Sequence, residues 1–308
     1  MKFTNRVFGC AVVKSINSNY NADFTHQPRT LPDGRVYATD KAFKYTVRHF
    51  LDSFTDEKVF YFKRFNENLN PLDLDEMYAH HFGDKPDKKS QTAKKDALRN
   101  LLSCIDVRMF GATYAGNVNV SIHGPVQIGH GVNQFDEGLI YSEQIMSPFR
   151  SDKKGEDAKE KDSSTLGTQS KLREGHYVHH FSVNPKNLEP RYELLGGDSP
   201  VLSQNDIDHL KEAMTKGATS YDSASKAGTE NELLLWIQLK EGSKRILPGF
   251  TDLVDVTREN GKVEIDLSKV SDVIDSVSDE VELIEIYYNN TTTTLSNEPK
   301  VAQHYPLS

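Results

Sequence analysis

Three cations, Lys41, Lys44 and Arg48, recur at helical spacing with Tyr45 among them. Lys14, Arg29 and Arg35 stand in the same N-terminal stretch. Cations spaced along one helix neutralise successive phosphates of a nucleic acid. For a single helix the plain alternative is a solvated face, but residues 1–50 hold eight Lys/Arg against three Asp, a net of +5, which favours phosphate neutralisation. The adjacent pairs His80–His81 and His179–His180 invite metal or acid–base chemistry. Neighbours on a strand point to opposite faces, and no cysteine cluster supports a zinc site, so no catalytic or metal-binding role is expected for them. His179 reads instead as a stacking or hydrogen-bonding group on an RNA-facing strand. The run HGPVQIGHG (123–131) lacks the lysine of a phosphate-cradling loop and the spacing of a dinucleotide fingerprint. Either it is a bulged hairpin, or its glycines let backbone approach a phosphate or sugar.

The elements that must carry these residues follow from periodicity. RVFGCAVVKSI (6–16) predicts a buried strand. A polar loop with a Pro-Asp-Gly turn follows, then a helix capped at Asp40 with Phe43, Val47, Phe50, Leu51 and Phe54 on one stripe. KVFYFKRF (58–65) and CIDVRMFG (104–111) read as strands, separated by a polar insertion over 66–97 with short helices. VNVSI (118–122) is another strand. Residues 150–174 are almost devoid of apolar side chains and read as a mobile loop or an arm that orders on binding. HYVHHFSVNP (176–185) is a strand, Ser203 with Asp206 caps a helix, and ELLLWIQL (232–239) is a fully buried strand. VEIDL and VELIEIYY are strands, and the tail NNTTTTLSNEPK (289–300) reads as frayed. The order strand, helix, strand, insertion, strand, helix, strand predicts an α+β fold of the split βαβ, ferredoxin-like or RNA-recognition-like kind.

Composition bounds the rest. The chain has 308 residues, 36% hydrophobic and 27% charged, enough to bury a core. No apolar run approaches the roughly 20 residues needed to span a bilayer, and MKFTNRVFGC has no leader character, so a cytoplasmic protein with no membrane partner is expected. Cys10 and Cys104 read as buried free thiols of a reducing compartment. The net charge of −8 is unevenly placed: residues 250–290 hold eleven Asp/Glu against three Lys/Arg, which suits one basic and one acidic face.

With the segments placed, the chain resembles the CRISPR-associated "Cas seven" backbone subunits of type I surveillance complexes, of the RAMP superfamily, most closely the I-B branch. The resemblance rests on SINSNYNADFTHQPRTLPDG, ATDKAFKYTVRHFL, CIDVRMFGA, SIHGPVQIGHGV, SKLREGHYVHHFSVNP, LSQNDIDHLKEAM and NELLLWIQL in that order, over about residues 5–250. Two places depart from the family pattern: Asn21, Ala22 and Asp23 stand where Gly-Asp-Pro is common, and Tyr45 follows Lys44 where Lys-Arg is common.

The resemblance implies a right-hand shape: an RNA-recognition-like palm from 1–65, 98–134 and 175–250, fingers over 66–97, a thumb arm over 135–174, and an acidic C-terminal segment and tail over 251–308. It implies a non-catalytic subunit that stacks head-to-tail with its own copies on a guide CRISPR RNA, presents that RNA to target DNA, and meets the other subunits of the complex, with no cofactor and no metal. Carried onto this sequence, RNA contacts fall at Asn17, Asn19, Arg108, Gln127, His130, Lys171 and Arg173. They join Lys14, Arg29, Lys41, Lys44, Tyr45, Arg48 and His179. Two alternatives stay open. Related subunits of RNA-targeting complexes cut RNA with an aspartate in the loop after the first strand, where Asp23 and Asp33 stand here. An unrelated oligomeric structural protein is the other.

Overall fold

The first apolar run becomes β1 (Val7–Ser18), and the main sheet is built outward from it. A computed structural model describes residues 1–146, 166–197, 199–259 and 261–307. After β1 come β2 (Tyr37–Ala38), α1 (Asp40–Phe54), α2 (Leu74–Phe82), α3 (Ala93–Leu102), α4 (Ile105–Phe110), β3 (Gly111–Ala115), β4 (Asn119–His123), β5 (Val126–Asn133), β6 (Ile140–Met146) and β7 (Leu166–Val183). The chain continues through α5 (Glu189–Leu195), α6 (Gln204–Lys216), β8 (Thr229–Leu239), β9 (Asp255–Glu259), β10 (Lys262–Asp266), α7 (Ser268–Asp275), β11 (Val281–Tyr288), β12 (Thr293–Ser296) and β13 (Gln303–Tyr305).

The sheet runs β13-β11-β8-β1-β7-β5-β2, with β6 paired to β7 outside that path. β1 lies antiparallel between β7 and β8, placing Val13 opposite Tyr177 and Val7 opposite Gln238. Side chains alternate across the pleat. Val7, Ala11 and Val13 pack with Trp236 under α1 and α6, whereas Phe8, Cys10 and Val12 face β10, α7 and the Phe250 loop. Both faces are covered, which is why the strand is apolar from Val7 to Val13. A third cluster joins α2, α3 and α4 to the β3–β4 hairpin. Residues 166–171 of β7 have no partner in β1 and pair only with β6, from Met146 opposite Leu166 to Tyr141 opposite Lys171, while Leu172, opposite Ile140, already meets Ser18 of β1. The 18-residue strand spans about 60 Å.

Several expectations are corrected. CIDVRMFG is helix α4, ended by Gly111 at φ +80°, where an added Cβ would lie 2.2 Å from the Ile122 carbonyl oxygen. KVFYFKRF forms no strand: the amides of Phe60 and Tyr61 donate to the Asp106 carboxylate at 2.8 and 3.0 Å, so they have a side-chain partner in place of a ladder. The tail is not frayed, because β12 pairs in parallel with β10 and β13 with β11. Within the arm, residues 166–174 are strand, and the expectation of mobility otherwise falls on 150–165, outside the described residues. The cap of α1 is Thr39 rather than Asp40, its side chain accepting from the Ala42 amide. Cys10 and Cys104 are both buried free thiols, Cys104 as the residue that precedes α4.

Candidate nucleic-acid interface

The polar loop between β1 and β2 folds against the start of α1 through its own amides. The Asn21 side-chain oxygen accepts from the Thr39 amide and hydroxyl at 2.9 and 3.0 Å. His130, half exposed on β5, accepts from the Asp40 amide at 3.3 Å and leans on Tyr37 with ring centres 5.3 Å apart. These contacts gather His130, Lys41 and Lys44 around the first turn of α1. Lys41 is exposed and makes no ion pair among the described residues. Lys44 bridges to Asp40 at 3.2 Å and lies over the Phe110 ring. Arg29 sits 5.9 Å from the centre of the Phe24 ring, which is 96% exposed.

Other predicted contacts are already spent inside the protein. Arg48 pairs with the fully buried Asp106 at 2.9 Å, and its guanidinium lies over Tyr61 and Phe110. Arg108 is buried: it donates to Asp206 at 2.7 and 3.3 Å, to Glu57 at 3.3 Å, and to the carbonyls of Leu102 and Ser103. It is a structural ion pair and not an exposed RNA contact. His179 is also buried, stacked on Phe43 with centres 4.8 Å apart, and hydrogen-bonded to the Gly129 carbonyl and the Tyr20 hydroxyl. Burial pulls its pKa down to about 4, so it is a neutral core histidine and not a surface stacking group. Gly131 explains the glycine run: a Cβ there would lie 2.3 Å from His179 Nε2, and the β5–β7 register shifts between Ile128 and Gly131. Asn19 is buried too, its amide donating to the carbonyls of His26 and Ser170.

At the root of the β6–β7 arm, the Tyr141 hydroxyl donates to Asn17, which sits exposed at φ +48°. Lys171 bridges to Glu143 across the hairpin at 2.9 Å, and Arg173 donates to the Glu137 carbonyl at 3.3 Å. Gln127 is exposed with its amide on the Gly124 carbonyl, and Lys14 pairs with Glu230 at 2.8 Å. Of the predicted residues, Arg29, Lys41, Lys44 and His130 lie about the start of α1 and Asn17, Lys171 and Arg173 at the arm's root; Asn19, Arg48, Arg108 and His179 are turned to interior partners, and Lys14 and Gln127 are held by Glu230 and the Gly124 carbonyl.

Sequence reading missed four residues near these groups. Lys226 donates to the Tyr20 carbonyl at 2.5 Å beneath the loop, and burial lowers its pKa to about 8. Phe62, His49 and Tyr221 surround Tyr45: Tyr45 stacks on Phe62 with centres 5.8 Å apart and meets Tyr221 edge-on at 5.2 Å. Helical spacing from Tyr45 signals His49, but nothing in the sequence signals Phe62 or Tyr221.

The two loop carboxylates hold turns. Asp23 accepts from the Thr25 amide and hydroxyl and from the Gln27 amide, and the Thr25 hydroxyl leads in lowering its pKa. Asp33 accepts from the amide and side chain of Arg35, the amide contributing most to the same effect. Among the described residues no group of three or more His, Cys, Asp or Glu side chains could hold a metal ion, and His80 and His81 are consecutive residues of helix α2, not of a strand.

The sequence matches the family described as "CRISPR-associated protein Cas7" over residues 5–279. The chain belongs to the Cas7 family. Two solved structures are similar. One, titled "CRISPR RNA-guided surveillance complex, pre-nicking", has a TM-score of 0.60 at 14% identity, covering 98% of this chain and 96% of that one. The other, titled "CRISPR RNA-guided surveillance complex", has a TM-score of 0.53 at 13% identity, covering 96% and 94%. No curated protein matches. The Cas7 match ends before β11, β12 and β13, yet the structural similarity extends over nearly the whole chain. No described helix of this Cas7-family protein is long and apolar enough to cross a membrane.

Proposed function

We propose that this chain is a non-catalytic backbone subunit of a type I surveillance complex. It binds guide CRISPR RNA, stacks head-to-tail with its own copies along it, and presents the guide for pairing with target DNA. The observation that carries this reading is the Cas7 family match over residues 5–279. Strand order supports an RNA-recognition-like palm: β8-β1-β7-β5 with α1 and α6 is the order of a split βαβ unit. Residues 66–97, which carry α2 and the start of α3, supply fingers, and 135–174 a thumb. Lys41 and Lys44 meet phosphate, with Arg29 and His130 beside them. Contacts to phosphate and sugar serve any guide sequence. Asp23 and Asp33 are committed to turns, which favours the structural role over the ribonuclease alternative.

The test is co-expression of the full chain with a CRISPR array, followed by extraction of nucleic acid from the purified protein. Discrete RNA of guide length is expected. Protein free of RNA, or carrying RNA of no defined length, contradicts the proposal.

A further inference from the structure

The rings around Tyr45 come from three separate parts of the chain: Tyr45 and His49 from α1, Phe62 from the segment before α2, and Tyr221 from the link after α6. Tyr45 and Phe62 lie nearly parallel, 21° apart, and Tyr221 closes the corner against both Tyr45 and His49, with ring centres 5.2 and 4.8 Å away. All four are only partly buried. The core aromatics beside them behave differently: Phe43, Tyr20 and Trp236 are fully enclosed. Four rings gathered from distant segments and left partly in water offer flat apolar surface to a planar partner.

Charge selects the partner. The Arg64 guanidinium lies 5.9 Å from the centre of Phe62 and is oriented by Asp52 at 2.5 Å. Lys63 stands over the ring of Phe65, which is itself 53% exposed. Lys41, one turn before Tyr45 on α1, makes no ion pair among the described residues. Asp40 and Asp52, the acids on this stretch of α1, are taken up by Lys44 and Arg64. Aromatic faces flanked by cations match single-stranded nucleic acid, whose bases stack while its phosphates meet the charges.

We propose that Tyr45, Phe62 and Tyr221 form a stacking platform for an unpaired base of single-stranded nucleic acid, with Lys41 and Arg64 engaging the flanking phosphates. The proposal rests on the guide-binding reading of α1 and adds a base-plane contact to it.

The test measures binding of a labelled oligouridine by the full chain, beside an abasic oligonucleotide of equal length. Tyr221→Ala and Tyr45→Leu are expected to weaken oligouridine binding roughly tenfold with an unchanged salt slope. Tyr45→Phe keeps wild-type affinity. On the abasic strand, wild type and Tyr221→Ala bind alike. Equal losses on both strands, or none on either, overturn the platform while leaving guide binding standing. No binding of any single strand by the wild type overturns both. A readout that needs no variant is photo-crosslinking of 5-iodouridine RNA to the wild type. Adducts at Tyr45, Phe62 or Tyr221 support the platform, and adducts only elsewhere overturn it.

Discussion

Arg108 on α4 grips Asp206 on α6 with two guanidinium donors, at 2.7 and 3.3 Å, across 98 residues of sequence. Both side chains are withdrawn from water, and Asp206 also accepts from the amide and hydroxyl of Ser203 to cap α6. Removing Asp206 leaves the buried Arg108 guanidinium with Glu57 at 3.3 Å as its remaining carboxylate, and breaking a buried pair typically costs about 3–5 kcal/mol. Asp206→Ala is therefore expected to lower the urea midpoint severely, beyond the loss of a helix cap alone. A change under about 1 kcal/mol would show the pair to be dispensable.

The basic stripe of α1 divides into a binding part and a structural part. Lys41→Ala is expected to leave stability within about 0.5 kcal/mol and to lower the salt slope of single-stranded RNA binding by about 0.7. Arg48→Ala strands the buried Asp106 carboxylate, so its first effect is a fall in melting temperature. Identical behaviour of the two variants in both assays would refute the division.

On β7, His176 lies between Glu232 and Glu174, and Glu174 in turn binds Arg258 of β9. Burial opposes the imidazolium, yet Coulombic attraction to Glu232 and hydrogen bonds to both carboxylates raise its pKa. A raised histidine pKa contributes stability that is full below about pH 6.5 and is lost as pH rises through the folded-state value. Glu174 has the opposite sign: its hydrogen bond to His176 leads in lowering its pKa to about 2, so its contribution fades as pH falls from about 4.5 toward that value. Melting temperature against pH should show a decline as pH rises past about 6.5 that is absent in His176→Gln. Superimposable profiles for the two proteins would remove His176 from the account.

Glycines in the 123–131 run differ in what they permit. Gly131→Ala drives a Cβ to 2.3 Å from the His179 ring and should cost about 1–3 kcal/mol by overpacking. Gly129→Ala meets only the His180 carbonyl oxygen, at 3.5 Å, and should be tolerated. Equal stability of the two variants in urea would contradict the packing argument.

Legibility followed the range of the interactions. β1, β8 and the Ser203 capping box are local signals, and each element forms where pattern places it. α4 was misread because a short apolar run does not distinguish a strand from a buried helix. Its charged members, Asp106 and Arg108, find partners at Arg48 and Asp206, far away in sequence. The same distance hid the tail, whose strands pair in parallel with β10 and β11. At the candidate interface, cation positions were readable but their state was not. Lys41 and Arg48 look alike in sequence, and only the fold shows that one is exposed and the other spent on a buried carboxylate.

Assembly along the guide is the centre of the account. A head-to-tail contact propagates, whereas a two-fold contact closes. One RNA holding neighbouring copies at high effective concentration lets a weak protein contact suffice, so the protein without guide should be largely monomeric at moderate salt. The decisive measurement is native mass of the full chain on guides of increasing length. Copy number growing stepwise with guide length is the predicted result, and a closed dimer of fixed mass that ignores guide length would contradict it.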